Sequence, residues 1–379
     1  MKILETLKDV QITGIRRFNE EVAKEKNCIP LTLGEPDFNM PEGVKAAVVK
    51  AVMENKTRYT SNAGLEELRC EISEYLKRFN IKYDKDEIII TTGGTEAIFA
   101  SLNTIINKND KVLMPSPGFP AYEGVVKILG AVPCYYTFNE DQSINRDSIM
   151  DGLNSGCKVL IMSLPSNPVG NVLSKEDKEF LYREIKDREI FVVSDEIYAS
   201  LCYEEEYHSL FQFDDIKDKC IYISGFSKIF AMTGLRVGYV CASRGLIKEI
   251  LKIHQYTVTC ASSISQYGAL AGLKYCLDDA EMMKENFKKR RDYVYERLKN
   301  MGLDVVLPKG AFYVFPSIKR FQLTSEEFCY KLLHEKKVGV IPGSAFPKDG
   351  EGFVRISYAS SMENLRVAMD KLEGFIKGK

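Results

Sequence analysis

Short apolar runs alternate with longer stretches of helical periodicity through the middle of the chain. Six runs read as strands: 87–92, 111–114, 159–164, 190–195, 220–224 and 237–241. They are continuously apolar rather than alternating, which predicts strands covered on both faces of a largely parallel sheet. The helical stretches between them predict βαβ units. After the first run, Gly93-Gly94 turns the chain into a helix expected to begin near Thr95. The pattern changes near residue 280. Residues 281–300 form a charged amphipathic helix, and 312–315 and 353–357 read as strands flanking a helix over 325–337. That is an α+β pattern and predicts a smaller C-terminal domain. Residues 15–26 read as one more amphipathic helix. There is no internal repeat and no low-complexity linker.

A chain of 379 residues exceeds the ~250–300 that a single core usually serves, so two domains are expected. With 52 basic and 53 acidic residues, no nucleic acid or membrane surface is expected as the main partner. A local basic site for a small anion stays compatible with that balance. The 10 cysteines include no CxxC pair, and His208, His254 and His334 lie far apart. No metal site is therefore expected, and reduced thiols in a cytoplasmic protein are. Met1-Lys2-Ile3-Leu4-Glu5 meets an acid at once and offers no signal-peptide core. No apolar run approaches the roughly 20 residues of a membrane span.

Several of the expected strands run into polar residues at their C-terminal ends: Gly93-Gly94-Thr95, Asn167-Pro168, Asp195 and, further on, Lys228. Ligands of open α/β sheets bind beyond those ends. Gly94-Thr95-Glu96 opens a helix, and its free amides suit one phosphate. It is neither a GxxxxGK[ST] loop nor GxGxxG, and alone it is equally a strand-to-helix turn with a threonine cap. Asp195 needs a cation or strong donor if buried, or it caps the next helix. Asn167-Pro168 alone is a loop. Lys228 sits among small, hydroxyl and apolar residues with no charged neighbours to mark a solvated face.

At these residues the chain resembles the class I aminotransferases, pyridoxal-phosphate enzymes of fold type I that include aspartate, aromatic and alanine aminotransferases. The resemblance runs from about Gly14 to Ser361. Its most specific segment is SGFSKIFAMTGLRVGY at 224–239. LTLGEPDF (31–38), YTSNAGLEELR (59–69), TTGGTEAI (91–98), PSPGFPAY (115–122), PSNPVGNV (165–172), SDEIYA (194–199) and GEGFVRISYA (350–359) support it in order. It implies an α/β fold: a large cofactor-binding domain over 45–280, with a mostly parallel sheet and helices on both faces. A small α+β domain would be built from both termini, 1–44 and 281–379. It also implies roles. Lys228 would hold pyridoxal 5'-phosphate as an imine and later move the substrate's Cα proton. Asp195 would pair with the pyridinium nitrogen. Asn167 and Tyr198 would hydrogen-bond the ring oxygen, and Phe119 would stack on the ring. Gly94, Thr95, Ser227 and Arg236 would hold the phosphate, with Tyr59 reaching in from a second copy of the chain. Gly34, Asn167 and Arg355 would hold the substrate, Gly34 and Arg355 at its α-carboxylate.

Two positions depart from the family pattern. A phosphate-binding serine is frequent three residues before the lysine, where this chain has Gly225; either Ser224 or Ser227 would compensate, or the phosphate loses one contact. Leu235 stands where Trp is frequent. The implied activity is ping-pong transfer of an amino group from an L-amino acid to a 2-oxo acid, in a homodimer. A carbon–sulfur or other β-lyase on the same scaffold is the alternative. A cofactor-binding regulator would carry an added DNA-binding domain, and the segment before Gly34 is too short for one. Selectivity for the substrate side chain would come from loops and the N-terminal segment 12–18. There Arg16 or Arg17 would meet a distal carboxylate, unless both are ordinary surface charges.

Overall fold

The computed structural model describes residues 4–204 and 206–378. The first three residues of the reading made at the N-terminus, Met1-Lys2-Ile3, lie outside them. The strands are β1 (Ile29–Pro30), β2 (Ile88–Thr91), β3 (Lys111–Pro115), β4 (Val132–Tyr136), β5 (Val159–Ser163) and β6 (Phe191–Asp195). They continue with β7 (Cys220–Gly225), β8 (Gly238–Cys241), β9 (Tyr313–Val314), β10 (Val338–Gly339), β11 (Ile341–Pro342) and β12 (Val354–Ser357). A seven-stranded sheet has the order β2-β8-β7-β6-β5-β3-β4. Its β7-β6-β5-β3-β4 part is parallel, and β8 runs antiparallel to both β7 and β2. The chain is thus α/β with a large, mostly parallel sheet.

Every residue of β2, β5, β7 and β8 is buried, as strands covered on both faces require. Two apolar layers do the covering. One contains Leu68, Ile72 and Leu76, spaced four apart on the helix Glu66–Lys77, and packs with Ile88, Ile90, Leu160 and Tyr222. The other contains Ala97, Ile98 and Leu102 of the helix Gly93–Ile105 and packs with Ile89, Val193, Ile221 and Val240. Alternate residues of one strand thereby face opposite layers.

Several elements depart from the sequence reading, and the short strands β1, β10 and β11 had no counterpart in it. The edge strand β4 was not anticipated: it holds Pro133 and is only partly buried, so it lacks the continuous apolar run of its neighbours. The helix expected near Thr95 begins at Gly93.

A separate core joins Phe18, Val22 and Leu31 near the N-terminus to Phe287, Phe312, Phe328, Leu332, Ile356 and Met369. β1 pairs with β10 in parallel, and β11-β12-β9 form a three-stranded antiparallel sheet. The helix Ser325–Lys336 opens with a capping box in which Thr324 and Glu327 bond each other's backbone amides. Among the described residues no helix is long and apolar enough to cross a membrane, and no group of three or more His, Cys, Asp or Glu side chains is arranged to hold a metal ion.

Candidate active site

The carboxyl ends of β2, β5, β6 and β7 converge on a cavity of about 240 Å³. After β2 the chain turns at Gly93, whose φ is +76°. A Cβ there would lie 2.7 Å from Nη2 of Arg236, so only glycine lets the guanidinium reach the helix start. Gly94 and Thr95 follow and line the cavity. Asp195 ends β6. β7 ends at Gly225 and leads into a short helix, Phe226–Ile229, that carries Ser227 and Lys228. Arg355 comes from β12, and Gly34 from the segment after β1.

The cavity brings together Gly34, Gly94, Thr95, Phe119, Asn167, Asp195, Tyr198, Ser227, Lys228, Arg236 and Arg355. Tyr59 is not among its lining residues and is 85% exposed, so one chain alone does not bring it to the cavity. Of Ser224 and Ser227, it is Ser227 that faces the cavity; Ser224 donates to the Glu196 carbonyl at 3.1 Å. At Gly225 a Cβ would meet Gly238 Cα at 2.8 Å, so the crowded β7–β8 pair leaves no room for the serine frequent in the family. Arg16 and Arg17 are exposed, and from their helix Ile15 reaches the cavity.

Lys228 Nζ donates to the Gly34 carbonyl. Burial lowers its pKa to about 8; Arg236 and Arg355 push the same way, while Glu35 and Asp195 oppose. A lysine so placed is available as the neutral, nucleophilic amine near physiological pH. Burial raises the Asp195 carboxyl to about 6, against the Tyr122 hydroxyl, the Ile197 amide and the charge of Lys228. Tyr122 donates to Oδ2 at 2.8 Å, and the Ile197 amide to Oδ1 at 3.2 Å. A buried carboxylate of this kind gains from a cation brought beside it.

Arg355 is 1% exposed. Its Nη1 donates to Asn167 Oδ1 at 2.9 Å and its Nη2 to the Thr32 carbonyl at 2.6 Å. The guanidinium lies over the Tyr313 ring, 4.4 Å from its centroid. Its Nε has no hydrogen-bond partner. Among the described residues no carboxylate lies within ion-pair distance of it, although other buried arginines such as Arg290 have one. An enclosed guanidinium without an anion is costly.

Tyr122, Ser163, Ile197 and Tyr313 belong to the cavity wall and were not singled out from the sequence. Tyr198 and Tyr313 hydroxyls bond each other at 2.7 Å, and a Cβ on Gly34 would meet the Tyr313 hydroxyl at 2.7 Å. Tyr122 and Ile197 do lie inside the PSPGFPAY and SDEIYA segments. Nothing local marks Tyr313.

A half-buried lysine, a buried acid and a helix start meet around one cavity at the carboxyl edge of this sheet. The chain belongs to the class I and II aminotransferases, whose family model, "Aminotransferase class I and II", matches residues 26–372. It is a pyridoxal-phosphate-dependent aminotransferase. It is 45% identical over 98% of its length to the probable N-acetyl-LL-diaminopimelate aminotransferase of Bacillus subtilis, of which 95% is covered. Among solved structures, the aspartate aminotransferase of Thermus thermophilus with maleate superposes with a TM-score of 0.93 at 31% identity, over 99% of both chains. The aromatic aminotransferase of Pyrococcus horikoshii does so at 0.90 and 36%, over 95% of this chain and 99% of that one. The lyase alternative gains no support from these relatives.

Proposed function

We propose that this cavity binds pyridoxal 5'-phosphate and carries out amino transfer from an L-amino acid whose α-carboxylate is held by Arg355. The residues fit that cofactor: an amine for its aldehyde, a buried carboxylate for its ring nitrogen, and a helix start with an arginine for its phosphate. When bound, the cofactor supplies an electron sink that makes the amino acid's Cα–H acidic. Lys228 would hold the cofactor through its aldehyde, and its Nζ would move the Cα proton as general base and acid. Asp195 would favour the protonated ring nitrogen. Asn167 already accepts from Arg355 through Oδ1, so its Nδ2 remains to donate to the ring oxygen, beside Tyr198. Phe119 supplies a flat apolar surface for the ring. Gly94, Thr95, Ser227 and Arg236 hold the phosphate, and Gly34 closes over the carboxylate.

The working form on this reading is a cytoplasmic homodimer in which Tyr59 completes the partner's phosphate site. The exposure of Tyr59 on one chain supports this, as does the exposure of Tyr256 and Met53.

The observation that carries the proposal is the enclosed guanidinium of Arg355 with no carboxylate beside it. An amino acid and the amine lacking its carboxylate are compared as donors to 2-oxoglutarate, pyruvate and oxaloacetate. Donors include aspartate, aromatic amino acids and N-acetyl-LL-diaminopimelate, after the names of the relatives. Wild type prefers the amino acid by a wide margin. Arg355→Ala removes a charge-assisted contact of about 1.5–3 kcal/mol, about one to two powers of ten in kcat/KM. Most of the margin disappears with it, and Arg355→Lys does not restore it, because a lysine cannot present two parallel donors. A margin left intact in the alanine variant places the carboxylate elsewhere.

Arg236→Ala is expected to lose cofactor on dialysis while substrate affinity changes less at saturating cofactor. Its forked donors match phosphate oxygens, and it stands against the helix start at Gly93. Undiminished retention contradicts that role.

A further inference from the structure

Glu96 stands in the first turn of the helix Gly93–Ile105, with its side chain 8% exposed. Its Oε2 accepts the Thr92 amide at 3.1 Å, while the Thr92 side chain makes no capping bond. Both carboxylate oxygens face Nδ1 of His254, at 3.2 and 3.3 Å. His254 lies on the helix Arg244–Val258 and is wholly enclosed, and its Nε2 has no partner. An enclosed imidazole with an orphaned nitrogen is a costly way to fill space between helices. What it provides is the Nδ1 contact with Glu96.

That contact has a consequence for the cavity. Gly94 and Thr95, from the same first turn, line its anion end together with Arg236. First-turn amides attract any anion within reach. The Glu96 carboxylate is such an anion, and its bond to the Thr92 amide is the fold-back to the N-cap amide that holds it away from the rest of the turn. We propose that His254 is a positioning residue for phosphate binding. It pins the Glu96 carboxylate against the Thr92 amide and so keeps it off the Gly94 and Thr95 amides that the phosphate requires. This rests on the cofactor reading above.

The test measures dissociation constants of pyridoxal phosphate and of pyridoxal, which lacks the phosphate, on cofactor-free protein. Inorganic phosphate is titrated alongside. His254→Leu releases the carboxylate and weakens pyridoxal phosphate about tenfold, the scale of one competing charge-assisted hydrogen bond, with pyridoxal unchanged. His254→Asn keeps a donor near Nδ1 and binds as wild type does. Glu96→Gln removes the competing charge and binds phosphate at least as tightly as wild type. The double variant, His254→Leu with Glu96→Gln, regains the lost affinity, which a merely structural histidine would not allow. A double variant as weak as His254→Leu overturns the proposal, as does parallel weakening of pyridoxal and pyridoxal phosphate. Should His254→Leu not fold, weaker phosphate binding by Glu96→Gln overturns it equally. Failure of wild type to take up pyridoxal phosphate would refute the cofactor reading, and the inorganic phosphate series would still decide the role of His254.

Discussion

Lys228→Ala is expected to reduce transamination to background. On the proposed function the lysine would have two tasks at one atom, Nζ. It must be a neutral amine to engage the aldehyde, and it must later accept and return the proton at Cα. A positioned general acid–base contributes roughly 10²–10⁴-fold by itself, and the covalent task is lost in addition. The structure prepares both: burial lowers the pKa to about 8, and Nζ is held by the Gly34 carbonyl at the cavity wall. The free protein should therefore react with amine-selective reagents at this lysine as the pH rises through about 8, ahead of solvated lysines that titrate near 10.4. Wild type should be yellow, and borohydride should fix the cofactor to Lys228. A labelled peptide containing any other lysine would overturn the assignment. The alanine variant should keep its fold, which circular dichroism and thermal unfolding can verify.

The second large effect is expected at Asp195. Replacement by Asn preserves shape and one acceptor but removes the charge that stabilises a protonated ring nitrogen. Breaking a buried charge pair by removing one partner costs about 3–5 kcal/mol, or roughly two to four powers of ten in kcat/KM. The Asp195 carboxyl is enclosed, and its pKa stands near 6 in the free site. The sign follows from which form is needed. On the proposed function the anion would pair with the ring cation, so cofactor uptake should be full above pH 6 and fall as the pH drops below it. Asp195→Asn should abolish that acid limb along with most of the activity. An asparagine variant with near-normal turnover would show that the ring nitrogen does not need this carboxylate.

The continuous apolar runs identified β2, β3, β5, β6, β7 and β8 because strands covered on both faces have no polar face to interrupt the pattern. β4 escaped for the opposite reason. As an edge strand it is partly exposed and carries Pro133, so its residues obey neither periodicity. Lys228, Asp195, Asn167 and the Gly94-Thr95 turn were picked out because each lies at or a few residues beyond the carboxyl end of a strand, and strand ends mark the ligand edge of such a sheet. Arg355 was legible as an arginine inside an apolar strand, and the motif resemblance is what suggests a carboxylate partner for it.

Other features arise only when distant segments meet. Nothing near Tyr313 in sequence announces that its hydroxyl will meet Tyr198 or crowd Gly34. The choice between Ser224 and Ser227 depended on which one faces the cavity, a matter of how β7 passes into its short helix. Arg355 is bonded to Asn167 and Thr32, and His254 to Glu96, through segments far apart in the chain. Local sequence determines where strands and helix starts fall, because backbone propensity and side-chain periodicity act over a few residues. Which buried charge is left without a partner is settled by packing across the whole molecule. That is why the absence of a carboxylate beside Arg355 among the described residues and the His254–Glu96 contact became visible only in the tertiary structure.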